Sequence, residues 1–262
     1  MRKEITSDMS YTKFDLTGKT ALVTGGTRGL GRGMAEGLAQ AGAKVVIAGS
    51  SEAVFRTAEE MKREGLDVAA VQVDLSKRDQ VEPAFRKALD LLGGKIDILL
   101  NDAGVQRRNM PEDFTDEDWY FVLEVNLNAV FKLCKLAGNE MLKAGHGKII
   151  NMASMLSYFG GHTVPAYAAS KGGVAQLTKA LSNDWAGRNI QVNAIAPGYM
   201  ATEMNTALVN DKTRNAEILG RIPAGRWGNE EDMKGLAIFL ASEASDYITG
   251  AVIPIDGGYL AK

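Results

Sequence analysis

The feature of this chain that most limits its fold is a regular alternation of short apolar runs and longer helical patterns. The runs are rich in β-branched residues, and runs this short and this apolar suit strands that are buried on both faces. They are TALVTG (20–25), KVVIAG (44–49), VAAVQV (68–73), IDILLN (96–101), GKIINMA (147–153), IQVNAIAP (190–197) and AVIPID (251–256). Strict alternation of strands and helices implies right-handed crossovers and a parallel sheet. We therefore predict an α/β fold with a seven-stranded parallel sheet and helices on both faces, doubly wound in a single domain.

The two ends of the chain differ in character. The N-terminal stretch MRKEITSDMSYTKFD is too polar for a signal peptide and is interpreted as an arm, residues 1–14, before the domain of residues 15–262. No repeat or Pro-rich linker divides the 262 residues further. No apolar stretch reaches the roughly 20 residues that a membrane helix needs.

Charge and cysteine usage exclude several classes of protein. The net charge of −2 argues against a general attraction to nucleic acid or to an anionic membrane. One cysteine, Cys134, cannot form an intrachain disulfide and fits a reducing compartment, so a cytoplasmic location is expected. Two histidines, His146 and His162, cannot make a metal cluster by themselves, so no metal site is predicted.

The turn after the first strand has the composition of a phosphate-binding loop. In TGGTRGLG (24–31), Gly25, Gly29 and Gly31 are spaced G-x-x-x-G-x-G. Missing Cβ atoms permit tight turning and let backbone N–H groups approach a pyrophosphate, and the following helix presents its positive end to the anion. A plain glycine turn would contain the same letters, but the position after the first strand favours a dinucleotide site and hence a Rossmann-type domain.

The sequence after the second strand bears on the choice of cofactor. An acid there would hold the ribose 2′-OH of NAD, but the strand ends in Gly49 and Ser50. Arg28 in the glycine turn could instead meet a 2′-phosphate. This combination favours NADP over NAD, although a serine at position 50 could serve either cofactor.

A possible acid/base pair lies in PAYAASKGG (165–173). On a helix, Tyr167 and Lys171 stand one turn apart on the same face. A nearby ammonium favours the ionised form of a phenol, so Lys171 is expected to lower the pKa of Tyr167. Tyrosine and lysine at this spacing are also common on ordinary solvated helix faces.

The TGxxxGxG turn and the YxxxK pair together resemble the short-chain dehydrogenase/reductase family, from about residue 16 to the C-terminus. Ser154 in NMASM lies at the family's distance before Tyr167, and Asn126 in VNLN matches its catalytic asparagine. The resemblance implies reversible oxidoreduction of an alcohol and a ketone. Tyr167 would act as the base, Ser154 would bond the reacting oxygen, and Asn126 would hold a water linked to Lys171.

Further segments match the family's cofactor-binding positions. NDAG (101–104) departs from the family's NNAG only at Asp102, and we expect this departure to affect local packing alone. Asp74 matches the acid that contacts adenine, and APGYMAT (196–202) matches the segment beside the nicotinamide. The resemblance implies that the cofactor contacts are Gly25, Thr27, Arg28, Gly29, Leu30, Gly31, Ser50, Asp74, Leu75, Asn101, Ala103, Gly104, Tyr167, Lys171, Pro197, Gly198, Met200 and Thr202.

A narrower likeness concerns the substrate. GKIINMASMLSYFGG, VNAIAPGYMAT, AEILGRIPAGRWG and DGGYLAK are similar to sugar-acid dehydrogenases of the gluconate, 2-deoxygluconate and 2-dehydro-3-deoxygluconate group. A sugar acid needs cations for its carboxylate. Arg107 and Arg108 follow the fourth strand, at the edge where ligands bind in open α/β sheets. They are therefore candidate substrate ligands beside Ser154 and Tyr167, although either could point to solvent or to a second subunit.

Two other functions are compatible with the same fold. A 3-ketoacyl-thioester reductase would need a basic surface for an acidic carrier, and the chain has no large basic excess. A noncatalytic nucleotide-binding module need not keep Asn126, Ser154, Tyr167 and Lys171 together. The family resemblance also implies a homotetramer, formed through the long helices predicted over 116–144 and 165–186 and through the C-terminal strand region.

Overall fold

The computed structural model describes residues 12–262, and within this range the predicted alternation forms one seven-stranded, all-parallel sheet. The strands are β1 (Thr20–Thr24), β2 (Lys44–Gly49), β3 (Val68–Gln72), β4 (Ile98–Asn101), β5 (Gly147–Met152), β6 (Ile190–Pro197) and β7 (Val252–Ile255). Each lies within one of the predicted runs. The central strands β1, β4 and β5 are buried along their whole length, as strands covered on both faces must be. The predicted fold class is confirmed.

The strand order places a crevice at the middle of the sheet. The order is β3-β2-β1-β4-β5-β6-β7, so the direction of winding reverses between β1 and β4. Thr24 pairs with Asn101 at the carboxyl ends of these two strands. Ligands of open α/β sheets bind outside the carboxyl ends at such a reversal. The glycine turn after β1 and the NDAG turn after β4 flank this crevice.

Helices cover both faces of the sheet and bury an apolar core on each. In residues 12–262 they are α1 (Gly29–Gln40), α2 (Ala53–Arg63), α3 (Arg78–Leu91), α4 (Asp116–Leu123), α5 (Ala129–Ala144), α6 (Pro165–Trp185), α7 (Thr206–Asn210), α8 (Lys212–Arg221) and α9 (Glu230–Ala241). One core lies between the sheet and α1, α2 and α9. The other lies between the sheet and α3, α5 and α6.

The segment before β1 is described only in part. Of the predicted arm, residues 1–14, the first eleven residues lie outside the described part of the chain. Thr12–Phe14 form one turn of 3-10 helix. The ring of Phe14 lies 6.1 Å from that of Phe239 on α9, measured between centroids. The division into arm and domain stays a prediction.

Some large apolar side chains remain on the surface. Tyr120 and Phe131 are 67% and 49% exposed along α4 and α5, and Tyr247 before β7 is fully exposed. Within residues 12–262, none of the helices combines the length and the apolar character that crossing a membrane requires.

Candidate active site

The glycine turn has the backbone shape that its sequence requires. Gly25 and Gly29 have φ angles of +73° and +56°, which side chains other than glycine rarely adopt. A Cβ on Gly31 would collide with the carbonyl oxygen of Gly25. The turn also touches the one after β4, because the Ala103 amide donates to Thr24 Oγ1 at 3.2 Å.

The start of α1 fits the pyrophosphate of a dinucleotide. No acidic residue lies in the first turn of this helix, and Arg28 at its N-cap makes no side-chain capping bond. The first backbone N–H groups of a helix have no partner within the helix, and its dipole favours negative charge. The Gly31 N–H donates to Asp102, and the remaining groups, together with the side-chain-free glycine surface, make the turn able to hold a nicotinamide dinucleotide.

Asn126 lies in a π-helical segment, Glu124–Asn128, between α4 and α5. Such one-turn distortions occur often at functional sites. Its side-chain amide makes two hydrogen bonds to the backbone after β4: Oδ1 accepts from the Val105 N–H at 2.8 Å, and Nδ2 donates to the Val105 carbonyl at 2.9 Å. Nδ2 also donates to Ser170 Oγ on α6 at 3.1 Å. The side chain therefore fixes the loop after β4 against α6. Its predicted role in holding a water stays a prediction.

Three further predicted catalytic side chains converge at the carboxyl edge of the sheet. β5 leads into Ser154, which caps a short 3-10 turn, while α6 carries Tyr167 and Lys171. The hydroxyl of Tyr167 hydrogen-bonds to Ser154. Lys171 Nζ lies 5.6 Å from the centroid of the Tyr167 ring and donates to the Met152 carbonyl at 2.6 Å. The pair on α6 thus faces the crevice, and Lys171 is only 5% exposed.

The NDAG turn completes the enclosure. A Cβ added to Gly104 would lie 3.5 Å from Asn126 Oδ1 and 3.8 Å from Lys171 Nζ. The turn after β4, the π-helical segment and α6 therefore meet at one point. The structure brings all four predicted catalytic residues to this point.

The electrostatics of Tyr167 are dominated by its burial. Burial raises its pKa above the ordinary value, the hydrogen bond with Ser154 opposes that rise, and the charge of Asp102 adds to it. The expectation that the Lys171 charge lowers this pKa stays a prediction, while the net shift of the Tyr167 pKa is upward. The reason is that burial outweighs the other influences on the phenol. Burial also lowers the pKa of Lys171, and Asp102 opposes that shift.

Asp102 is the charged residue of this site to which the sequence interpretation gave no role. Its carboxyl accepts a hydrogen bond from the Gly31 N–H and feels the charge of Lys171, while burial raises its pKa. The expectation that this departure from NNAG affects only local packing is wrong, because its charge acts on both Lys171 and Tyr167. The signal was visible as an ionisable residue in place of an amide beside the glycine turn.

Several predicted cofactor residues use their side chains inside the protein. Asn101 donates to Asn151 Oδ1 at 2.9 Å and to Cys134 Sγ at 3.4 Å, so its amide belongs to the interior. Leu75 and Met200 are 7% and 3% exposed and pack in the two cores. Cys134 is buried, and burial raises its pKa to about 12, so its thiol stays protonated and is no nucleophile.

Other predicted contacts lie along the crevice. Leu30 and Ala103 pack partly buried beside the glycine turn. Ser50 follows β2 on the surface, and its carbonyl accepts from Gln72 Nε2. Asp74 Oδ1 accepts from the Ser76 amide and hydroxyl after β3. At the end of β6, Pro197 pairs with Ile255, and a Cβ on the following Gly198 would clash with Asp256.

Thr27, Arg28 and Thr202 line the outer mouth of the crevice. The Thr27 carbonyl accepts from Thr57 on α2. The methyl of Thr202 lies 4.0 Å from where a Cβ of Gly29 would be. Arg28 reaches across to Glu203, with an Nη1–Oε2 distance of 2.9 Å. The segment after β6 thus closes over the turn after β1.

The guanidinium groups of the two candidate substrate arginines differ in how fully they are engaged by neighbouring side chains. Arg107 Nε pairs with Asp118 at 3.1 Å, and its guanidinium lies 4.5 Å from the centroid of the Phe121 ring. Arg108 is exposed, and within residues 12–262 its guanidinium makes one hydrogen bond, a long one of 3.4 Å from Nη2 to Gln106 Oε1. Of the two, Arg108 has the more available guanidinium.

Comparison with known proteins agrees with this geometry. The family model described as enoyl-(acyl carrier protein) reductase matches residues 25–260. The 2-dehydro-3-deoxy-D-gluconate 5-dehydrogenases of Bacillus subtilis and Escherichia coli are 48% and 47% identical; the alignments cover 95% and 97% of this chain and 97% and 100% of those proteins. The crystal structure of a gluconate 5-dehydrogenase from Burkholderia cenocepacia, in complex with NADP and tartrate, matches with a TM-score of 0.92 at 41% identity, covering 96% of this chain and 98% of that one.

A Rossmann-type sheet with a glycine turn at its reversal and a Tyr–Lys–Ser centre beside it defines a nicotinamide-dependent oxidoreductase of CH–OH groups. The chain belongs to the short-chain dehydrogenase/reductase family. The predicted family and enzyme class are confirmed.

Proposed function

We propose that the chain transfers a hydride between NADP(H) and a secondary alcohol or ketone of a sugar acid of the 2-dehydro-3-deoxygluconate, 2-deoxygluconate or gluconate type. The observation that carries the proposal is the placement of Tyr167 at the crevice beside the glycine turn, hydrogen-bonded to Ser154 and with Lys171 Nζ 5.6 Å from its ring centroid. The high identity to sugar-acid dehydrogenases over nearly the whole chain supports the substrate class.

Each residue has a separate part in the proposed reaction. When bound, the nicotinamide supplies the acceptor or donor of the hydride. In oxidation, Tyr167 takes the proton of the substrate hydroxyl, and in reduction it returns that proton to the carbonyl oxygen. Ser154 hydrogen-bonds the same oxygen as its charge changes. Lys171 favours the ionised tyrosine by its charge, and Asn126 holds the loop after β4 in place.

Substrate screening tests this proposal directly. Sugar acids and 3-ketoacyl thioesters are assayed in both directions with NADP(H) and NAD(H), following the absorbance of the reduced cofactor. We expect turnover of a sugar acid. Turnover confined to ketoacyl thioesters would make the chain a thioester reductase. Binding of the cofactor without turnover of any substrate would make it a noncatalytic module.

NADP is proposed as the preferred cofactor because Arg28 offers a cation at the mouth of the crevice. Its partner Glu203 is 70% exposed, and an exposed pair of this kind holds weakly, so a 2′-phosphate can displace the carboxylate. We expect Arg28→Ala to raise the Kd of NADPH about tenfold and that of NADH much less. The measurement is fluorescence titration. Glu203→Ala is the matched control and should not weaken NADPH binding; equal weakening of both cofactors by Arg28→Ala would remove Arg28 as a phosphate ligand.

The substrate carboxylate is proposed to bind Arg108. A charge-assisted bond is worth about 1.5–3 kcal/mol, so Arg108→Ala should raise KM for a sugar acid by roughly 10- to 100-fold and affect a neutral polyol less. Arg107→Ala is the matched control, since Arg107 is already engaged by Asp118 and Phe121. Normal KM values for both variants would place the carboxylate elsewhere.

We also propose a cytoplasmic homotetramer. Exposed Tyr120 and Phe131 on α4 and α5 support a subunit contact on the long-helix face, and the free thiol of Cys134 suits a reducing compartment. Light scattering of the wild type and of Phe131→Glu tests the assembly. A smaller species for the variant is expected, and a monomeric wild type would exclude the tetramer. Cell fractionation tests the location.

A further inference from the structure

Asp102 is held against the glycine turn by packing and by a hydrogen bond. Its Oδ2 lies 3.0 Å from where a Cβ of Gly25 would be and 2.5 Å from where a Cβ of Gly31 would be. Side chains at either glycine would therefore displace the carboxyl. The Gly31 N–H, in the first turn of α1, donates to it. The carboxyl thus has a defined place between the cofactor turn and the acid/base centre.

Asp102 is also electrostatically joined to the acid/base pair. Its charge favours the ammonium of Lys171 and disfavours the phenolate of Tyr167. The distance from Lys171 Nζ to the NDAG turn is short, as the 3.8 Å separation from the Gly104 Cβ position shows. A carboxylate so placed reduces the effect of the ammonium on the phenol, because the two charges oppose each other.

The remaining groups around Asp102 leave these two as its titrating partners. Within the described part of the chain, the groups that oppose the effect of burial on the Asp102 pKa are the charge of Lys171 on α6 and the Gly31 N–H in the glycine turn. The other predicted catalytic residues, Asn126 in the π-helical segment and Ser154 after β5, carry no ionisable group. Cys134, which lies beside Asn101, stays a neutral thiol because burial raises its pKa to about 12.

We propose that Asp102 is a positioning residue of the acid/base centre: its carboxylate is the counter-charge of Lys171 and sets the pH at which Tyr167 gives up its proton. This inference rests on the proposed role of Tyr167. It predicts that replacing the charge, while keeping an acceptor for the Gly31 N–H, changes the pH dependence of catalysis.

Asp102→Asn is the decisive variant, because the amide keeps an oxygen for Gly31 and loses only the charge. In the oxidation direction the acidic limb of kcat/KM should move down by about one pH unit. One unit below the wild-type midpoint, kcat/KM should therefore rise severalfold. At the high-pH plateau it should fall no more than a few-fold, since a base of lower pKa is weaker. Binding of NADPH, measured by fluorescence, should be retained.

Asp90→Asn, an exposed change of equal charge on α3, is the control and should leave the profile in place. If Asp102→Asn does not fold, Asp102→Ser is used, with the same expected shift. An active variant with an unshifted profile would overturn the inference while leaving the proposed function intact. Loss of both activity and NADPH binding in both variants would overturn it too, since Asp102 would then only shape the turn. Failure of the proposed role of Tyr167 is recognised separately, by a Tyr167→Phe enzyme that keeps its turnover, and failure of the proposed function by the absence of sugar-acid turnover in the wild type.

Discussion

An aspartate flanks each end of β4, and the two carboxyls differ in how many hydrogen-bond and charged partners they have. Asp97, just before the strand, accepts from the Thr20 amide at 2.7 Å and its hydroxyl at 2.9 Å. It also pairs with His146 at 2.8 Å and with Lys95 at 3.2 Å. Asp102, just after the strand, has the Gly31 N–H and the charge of Lys171.

The pKa values of the two carboxyls follow from this difference. Burial raises both, but at Asp97 the hydrogen bonds from His146, Thr20 and Lys95 outweigh it and hold the pKa below the ordinary value. At Asp102 burial prevails. A well-partnered buried charge anchors the amino edge of the sheet, whereas a poorly compensated one lies at the carboxyl edge, where chemistry takes place.

The largest expected effect is at the carboxyl edge. Tyr167→Phe removes the transferable proton and keeps the ring, so kcat should fall by roughly 10²- to 10⁴-fold or more while NADPH binding and the melting temperature change little. Steady-state kinetics and fluorescence titration measure this. Tyr247→Phe, at a fully exposed position, is the control and should be silent. Near-normal turnover of Tyr167→Phe would remove the acid/base assignment.

The amino edge should show the reverse pattern. Asp97→Ala leaves the buried Thr20 amide without its acceptor and removes the carboxylate partner of His146, so the free energy of unfolding should fall by about 3 kcal/mol. Denaturant unfolding at one protein concentration measures this change. Because Asp97 lies at the opposite edge of the sheet from the active site, kcat per folded molecule should stay within about twofold of wild type. Because the folded pKa of Asp97 is depressed, the stability it contributes is present above the ordinary value and lost as pH falls through the folded value. A large drop in kcat of Asp97→Ala with unchanged stability would show that Asp97 acts in catalysis and does not anchor the fold.

The smallest expected effect is a pH-dependent stability difference at Asp102. Burial raises its pKa from 3.8 to about 7, so its contribution to stability is present below the unfolded value and lost as pH rises through the folded one. Asp102→Asn has no such loss. Between about pH 5 and 7, the stability of the variant relative to wild type should therefore increase by about 2 kcal/mol, in favour of the variant. Thermal unfolding across this range measures it, with Asp90→Asn expected to follow wild type; a pH-independent difference would show that Asp102 is not a raised carboxyl.

The strands and the cofactor turn were predictable because their signals are local. A buried parallel strand needs a continuous apolar run, so the apolar runs that begin at Thr20 and Gly147 predict strands from the sequence alone. Gly25 and Gly29 are required by positive φ angles at those two positions. The pairing of Tyr167 with Lys171 likewise follows from helix geometry alone.

What the sequence by itself determined is therefore the sheet, the glycine turn and the spacing of the catalytic set along each element. Only the tertiary structure decided what each charged group faces. Arg107 is taken by Asp118 and Phe121 while Arg108 is left available, and burial sets the pKa of Tyr167 against the effect of its neighbouring ammonium. The charges of Asp102 and Lys171 act on each other because the end of β4 and the start of α6 lie at the same edge of the sheet, although the two residues are far apart in the chain. Desolvation and Coulomb interactions depend on distances across the fold, which the local sequence does not contain.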